Sequence, residues 1–187
     1  FDSDLDGDLD VYFVNHPMNF DDNNYIRPTI ATVTGHKDDP ENEYISDRFY
    51  ENRNGHFVDM SGSAGIHNEA FGLSAVVADF TADGLPDIYV ANDFLQPDYL
   101  YVNLGKNRFK ENFDVYFDHC SFSSMGTDFA DINNDGCNDL IAVDMTPHGR
   151  ARQNLLQMTQ NYDRYQLMLK SGLKAQFSIN SLQMGSC

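Results

Sequence analysis

Short apolar runs of strand-forming residues alternate along the chain with stretches rich in Asp, Asn and Gly. Val11-Tyr12-Phe13-Val14, Ile88-Tyr89-Val90-Ala91 and Leu140-Ile141-Ala142-Val143 each follow such a stretch, and the apolar runs 71–78 and 122–130 precede the second and third. The pattern predicts a polar loop joining two adjacent strands of a hairpin. Between these units lie Arg48–Phe57 and Tyr99–Phe109, each reading as aromatic strand, Asn/Gly turn, aromatic strand, a second kind of hairpin. Tyr50 and Tyr101 stand 51 residues apart, and Asp79 and Asp131 stand 52 apart. Two agreeing offsets with four strands per period predict an all-β chain built of β-propeller blades, each a four-stranded antiparallel sheet.

Divided by that period, residues 1–62 hold a partial blade with a long loop, 63–113 a complete blade and 114–187 a third blade. A closed propeller needs about 4–8 blades, so the chain is expected to be an incomplete propeller fragment, its open sides met by the remaining blades of a longer parent chain. Two stretches depart from the strand pattern. Residues 15–47, rich in Asp, Asn and Pro, are longer than a blade loop and read as a surface excursion. Residues 146–174 predict an inserted helical segment, with Thr146 as N-cap, Pro147 at the first position, Gly172 past the end and an apolar face of Ala151, Leu155, Met158, Tyr162, Tyr165 and Leu169.

Charge narrows the function. With 29 Asp and Glu against 12 Lys and Arg, the net charge of −17 lacks the footprint of a nucleic-acid binder. The 146–174 stretch carries five basic residues against Asp163 alone, a local +4 that predicts a helix docked on the acidic body rather than on a membrane or a partner. No apolar run approaches the ~18 residues of a membrane span. Phe1-Asp2-Ser3-Asp4 is no secretion signal, so the chain reads as a mature or truncated piece.

Much of the acid falls in three stretches of one design: Asp2 to Asp10, Asp79 to Asp87 and Asp131 to Asp139. Oxygen-bearing side chains occupy positions 1, 3, 5 and 9, namely Asp2, Asp4, Asp6 and Asp10, then Asp79, Thr81, Asp83 and Asp87, then Asp131, Asn133, Asp135 and Asp139. Gly stands at position 6. Position 7, filled by Asp8, Leu85 and Cys137, would give only its backbone carbonyl, which explains its variety. Alternate oxygens around a sharp turn suit Ca²⁺, which takes 6–8 oxygens at about 2.3–2.6 Å. The plain alternative is an Asp/Gly turn between strands, but three copies of clustered like charge would repel themselves without a cation. Thr81 makes the second site the weakest. Phe13, Val90 and Ala142 stand where an EF-hand needs a bidentate Glu, so that class is excluded.

The string Phe71-Gly72, Asp79, Asp83-Gly84 and Asp87-Ile88-Tyr89-Val90-Ala91-Asn92-Asp93, followed by Leu100-Tyr101-Val102-Asn103, resembles the FG-GAP/VCBS repeats of integrin-α-like β-propellers. Within these it is most similar to the bacterial proteins related to cartilage acidic protein, often with an ASPIC/UnbV segment. The resemblance implies Ca²⁺ in the loop between the first and second strands of a blade, a secreted, periplasmic or cell-surface setting, and work in adhesion or in binding a carbohydrate or protein.

Candidate catalytic chemistry is sparse. The six histidines show no His-x-x-x-His pair, and neither a Gly-x-Ser-x-Gly elbow nor a Gly-rich phosphate loop occurs. Asp118-His119-Cys120 suggests an activated thiol only until neighbouring strand residues are pointed to opposite faces. Cys120, Cys137 and Cys187, odd in number and without CxxC spacing, indicate neither a zinc site nor a disulfide framework. No enzymatic role is expected, the other reading being a secreted glycan-active enzyme or its accessory domain. Asn15-His16, Asn92-Asp93 and Asp144, equivalent positions after the second strand, predict either a binding rim or residues that close the strands.

Overall fold

A computed structural model describes residues 1–16, 46–68, 70–93, 96–152, 162–170, 172 and 174–186. The expected excursion therefore lies, between residues 17 and 45, outside the described residues. The fold is all-β and propeller-like; among the described residues there are twelve strands and three short helices, and no sheet closes into a barrel.

The first sheet contains β1 (Val11–Phe13), β2 (Arg48–Arg53) and β3 (His56–Asp59), in that order. The second contains β4 (Phe71–Ala78), β5 (Asp87–Asp93), β6 (Tyr99–Asn103) and β7 (Phe109–Glu111), a four-stranded antiparallel meander. The third contains β9 (Ser124–Ala130), β10 (Asp139–Asp144) and β12 (Ser181–Gln183), with β10 in the middle. Equivalent strands are identified by their loops: β1, β5 and β10 each follow an acidic stretch, and β2, β6 and β12 pair with them antiparallel. Against the four strands of the second sheet, the first shows no counterpart of β4 and the third none of β7 among the described residues.

A fourth, parallel pair joins β8 (His119–Ser121) to β11 (Ala175–Phe177), outside the blade pattern. Helices α1 (Ser61–Ala64) and α2 (Phe113–Tyr116) are single turns at the sheet junctions, and α3 spans Tyr162–Lys170.

The core follows from strand periodicity. Successive residues of β5 point to opposite faces, yet both faces are buried. Ile88 and Val90 pack with Phe49 of β2, Ile66, Tyr101 and Phe109. Tyr89 and Ala91 pack the other way with Leu100, Val102, Phe113, Cys120 and Leu140 of β10. The second sheet is thus sandwiched between the other two, and each large buried side chain contributes about 1.5–3 kcal/mol. Gly72 marks a close approach: a Cβ there would collide with Val14 and crowd the carbonyl of Asn15, both just past β1.

The helical segment departs from expectation at its start. Thr146 does not cap it; its hydroxyl donates to the Ser178 carbonyl at 3.3 Å, Gly149 turns with φ +86°, and helical residues begin at Arg150. A threonine beside a passing strand carbonyl satisfies itself there instead of at a helix end. Gly172 does end the helix in the left-handed region, its N–H donating to Leu169 O at 3.1 Å. On the expected apolar face Tyr162 is exposed, Tyr165 rests against Phe177 at 6.3 Å, and Leu155 and Met158 lie outside the described residues. The cysteines are also corrected: Cys137 is disulfide-bonded and Cys120 is a buried free thiol. Spacing and parity along the chain are silent about a pair that folding brings together.

Candidate metal centre

The three acidic stretches adopt one conformation. Position 1 accepts two backbone N–H groups on separate oxygens: Asp2 from Asp6 at 3.1 Å and Gly7 at 3.0 Å, Asp79 from Asp83 at 3.1 Å and Gly84 at 2.9 Å, Asp131 from Asp135 at 3.0 Å and Gly136 at 2.9 Å. Position 5 accepts from the N–H of position 7, Asp6 from Asp8, Asp83 from Leu85 and Asp135 from Cys137. Position 4 is left-handed in all three, at Leu5 (φ 62°), Ala82 (φ 57°) and Asn134 (φ 65°), and so is the glycine of position 6. Such a turn aims alternate side chains inward.

Position 9 works differently from the others. Asp10, Asp87 and Asp139 are buried. One oxygen accepts from the start of the loop: Ser3 N–H at 3.0 Å, Phe80 N–H at 2.9 Å and Ile132 N–H at 3.0 Å. The other accepts from the end of the third strand or just past it: Asn52 N–H at 2.8 Å, Asn103 N–H at 2.8 Å and Gly185 N–H at 2.8 Å. Each is a clasp between loop and sheet. Nothing in the spacing distinguished it from the other acids of its loop; only the third-strand partner reveals it.

In the first loop Asp2, Asp4 and Asp6 offer carboxylate oxygens within 4.8 Å of one another. Burial and the charges of Asp6 and Asp10 hold Asp4 above the usual carboxylate range, and Asp8 is raised by desolvation and by Asp6 and Asp10 in turn. In the third loop Asp135 is instead lowered, by the Cys137 N–H and by Asn133, whose amide donates to it at 2.7 Å. In the second loop Thr81 Oγ1 is buried with no hydrogen-bond partner. The loops also tie sheet to sheet: Asn103 Nδ2 donates to Ser3 O at 2.7 Å and Asn107 Nδ2 to Asp4 at 2.9 Å.

The expected rim residues act as strand closers. The N–H groups of Asn15, Asn92 and Asp144 donate to Asp47 at 2.7 Å, Asp98 at 2.9 Å and Asn180 at 2.8 Å, each just before the third strand. Acid and amide trade places in the third copy. Tyr12 and Tyr89 donate to Asp47 and Asp98, both at 2.6 Å, and Asn68 Nδ2, just before β4, adds a bond to Asp47 at 2.7 Å as Ser124 Oγ of β9 does to Asp98 at 2.9 Å. Sequence reading missed Asp47 and Asp98, although their offset of 51 residues, each before an aromatic strand, was available. Cys120 is buried in the second core, which raises its thiol, while His119 lies edge-on to Phe177 at 5.8 Å.

No curated protein matches the chain. Residues 79–142 match the FG-GAP-like repeat family, a span from the second acidic loop through β5 to β9 and the third loop into β10. The match reaches the repeat alone, and a relation to the ASPIC/UnbV proteins stays an expectation. Residues 79–142, from the second acidic loop to the third, are thus similar to an FG-GAP-like repeat.

Proposed function

We propose that the acidic loops bind Ca²⁺ and that the chain is a metal-stiffened binding module of a secreted, periplasmic or cell-surface protein, directed at a carbohydrate or protein ligand. The carrying observation is the convergence of Asp2, Asp4 and Asp6 on one point in a loop conformation used three times. The donor set fits a hard cation. Asp2, Asp4 and Asp6 with the Asp8 carbonyl would hold the first ion, and Asp131, Asn133 and Asp135 with the Cys137 carbonyl the third. Asp79, Asp83 and the Leu85 carbonyl would hold the second together with Thr81, whose unpartnered hydroxyl is supplied with a use. The Cys137 disulfide joins through the side chain and not through the backbone carbonyl. It also suits an oxidising compartment.

A binding role is favoured over a catalytic one because the buried acids outside the loops, Asp47 and Asp98, are spent on backbone and tyrosine donors. Calorimetric titration of chelator-treated protein with CaCl₂ tests the metal reading. Two tighter events and a weaker one are expected, the weaker lost in Thr81→Val, together with a higher melting temperature in calcium. A flat titration with unchanged melting would overturn it.

A further inference from the structure

The three acidic loops differ in what holds the residue at their third position. Asn133 is settled inside its own loop, its amide donating to Asp135 at 2.7 Å, and the Thr81 hydroxyl has no hydrogen-bond partner. Asp4 is held from another sheet. Asn107, in the turn between β6 and β7 of the second sheet, donates through Nδ2 to Asp4 Oδ2 at 2.9 Å, across 103 positions of the chain.

Ser3, the neighbour of Asp4, extends the contact. Its hydroxyl donates to Asn107 Oδ1 and to the carboxylate of Asp10, which share the one proton. Its carbonyl accepts from Asn103 Nδ2 at 2.7 Å, and the same Nδ2 donates to the Pro86 carbonyl of the second loop at 3.0 Å. Ser3, Asp10, Asn103 and Asn107 are all buried, so water competes little for these bonds. Phe80 and Ile132 stand where Ser3 stands in the other two loops, and an apolar side chain can form no such link. The tie from loop to neighbouring sheet is therefore a property of the first loop.

On the calcium reading of the loops, on which this rests, we propose that Asn107 is a positioning residue of the first calcium site, and that docking of the second sheet on the first completes that site. Asn107 takes one of the two oxygens of Asp4, and an ion shared with Asp2 and Asp6 needs only one from it. A bond of this kind orients a ligand before the metal arrives, and its loss costs about 10–100-fold in metal affinity. Linkage runs both ways: whatever affinity the docked second sheet gives the ion, the ion returns as stability of the junction. Neither Thr81 nor Asn133 has such a partner among the described residues, so the second and third ions bind without regard to Asn107.

Titration of the whole 187-residue chain, nitrogen-15 labelled and stripped by chelator, with CaCl₂ in the NMR spectrometer reads the loops one at a time, because the amides of Gly7, Gly84 and Gly136 each report their own. Asn107→Gly removes the side chain and suits the left-handed φ of +55° at that position. In this variant the Gly7 midpoint should move to about tenfold more calcium, with those of Gly84 and Gly136 unchanged. In the wild type the Asn107 side-chain amide should shift with the same midpoint as Gly7, a readout that needs no variant and stands if Asn107→Gly folds poorly. A Gly7 midpoint equal in both proteins, a rise shared equally by all three glycines, or an Asn107 amide that stays still while Gly7 titrates would each overturn this role for Asn107 and leave the metal reading standing. Three glycines that do not move would overturn the metal reading itself, and this role with it.

Discussion

Asp98 is fully buried, with one oxygen holding the Asn92 N–H and the other the hydroxyls of Tyr89 and Ser124. Desolvation outweighs those bonds and raises its pKa from the ordinary 3.8 to about 6, with the charge of Asp144 adding in the same direction. Tyr89 and Cys120 are the other titratable groups that face it, and burial keeps both protonated across this range. Below pH 3.8 the carboxyl is protonated in the folded and unfolded states alike. As pH rises, the unfolded chain releases the proton first while the folded chain keeps it, so folding loses stability until about pH 6. At about 1.4 kcal/mol per tenfold gap in proton affinity, the loss is about 3 kcal/mol. Asn180 fills the equivalent place in the third sheet, its oxygen taking the Asp144 N–H, so Asp98→Asn should be accommodated. Urea unfolding of wild type and Asp98→Asn at pH 4, 5, 6 and 7 cancels the background of other carboxylates. The stability of the variant relative to wild type should rise by about 2 kcal/mol across that series, mostly below pH 6, the rest of the loss having occurred below pH 4. A difference independent of pH would refute the assignment of a buried, proton-retaining acid.

Asp87→Ala strands the N–H groups of Phe80, Thr81 and Asn103 and should cost about 3–5 kcal/mol, discounted for the burial cost that its raised pKa signals. Thermal melts should show that loss in chelator as well as in calcium; a loss seen only in calcium would mean that the residue acts through metal alone. Gly84→Ala at φ +88° should lower stability by about 1 kcal/mol, whereas Ala82→Gly at φ +57° should be neutral or mildly stabilising, and denaturant midpoints with the opposite order would contradict the loop geometry. Cys120, buried with its thiol raised, should react with Ellman's reagent only in denaturant, and rapid labelling of native protein would be inconsistent with its place in the core.

Most of the strand framework was legible because its signals are local. The stretch 71–78 became β4 with the same ends, and the Asn54-Gly55 turn joined β2 to β3 as read. The loops repeated because their chemistry is carried within nine residues. What escaped was carried by contacts distant in sequence. The parallel pairing of His119–Ser121 with Ala175–Phe177 crosses more than fifty residues, and no periodicity announces it. Thr146 looked like a cap because the Ser178 carbonyl was invisible. The division of labour among the loop acids was hidden for the same reason: Asp87 differs from Asp79 through its bond to Asn103, sixteen residues later.

The burial of β5 on both faces has a consequence for how the chain comes apart. A strand with no solvent face cannot persist once either neighbouring sheet leaves, since the side chains of Ile88 and Val90 or of Tyr89 and Ala91 would then be wetted. The second sheet thus has little local opening of its own. Amides of Ile88–Ala91 should exchange with solvent only through the rarest, whole-molecule event, while the outer sheets fray at smaller cost.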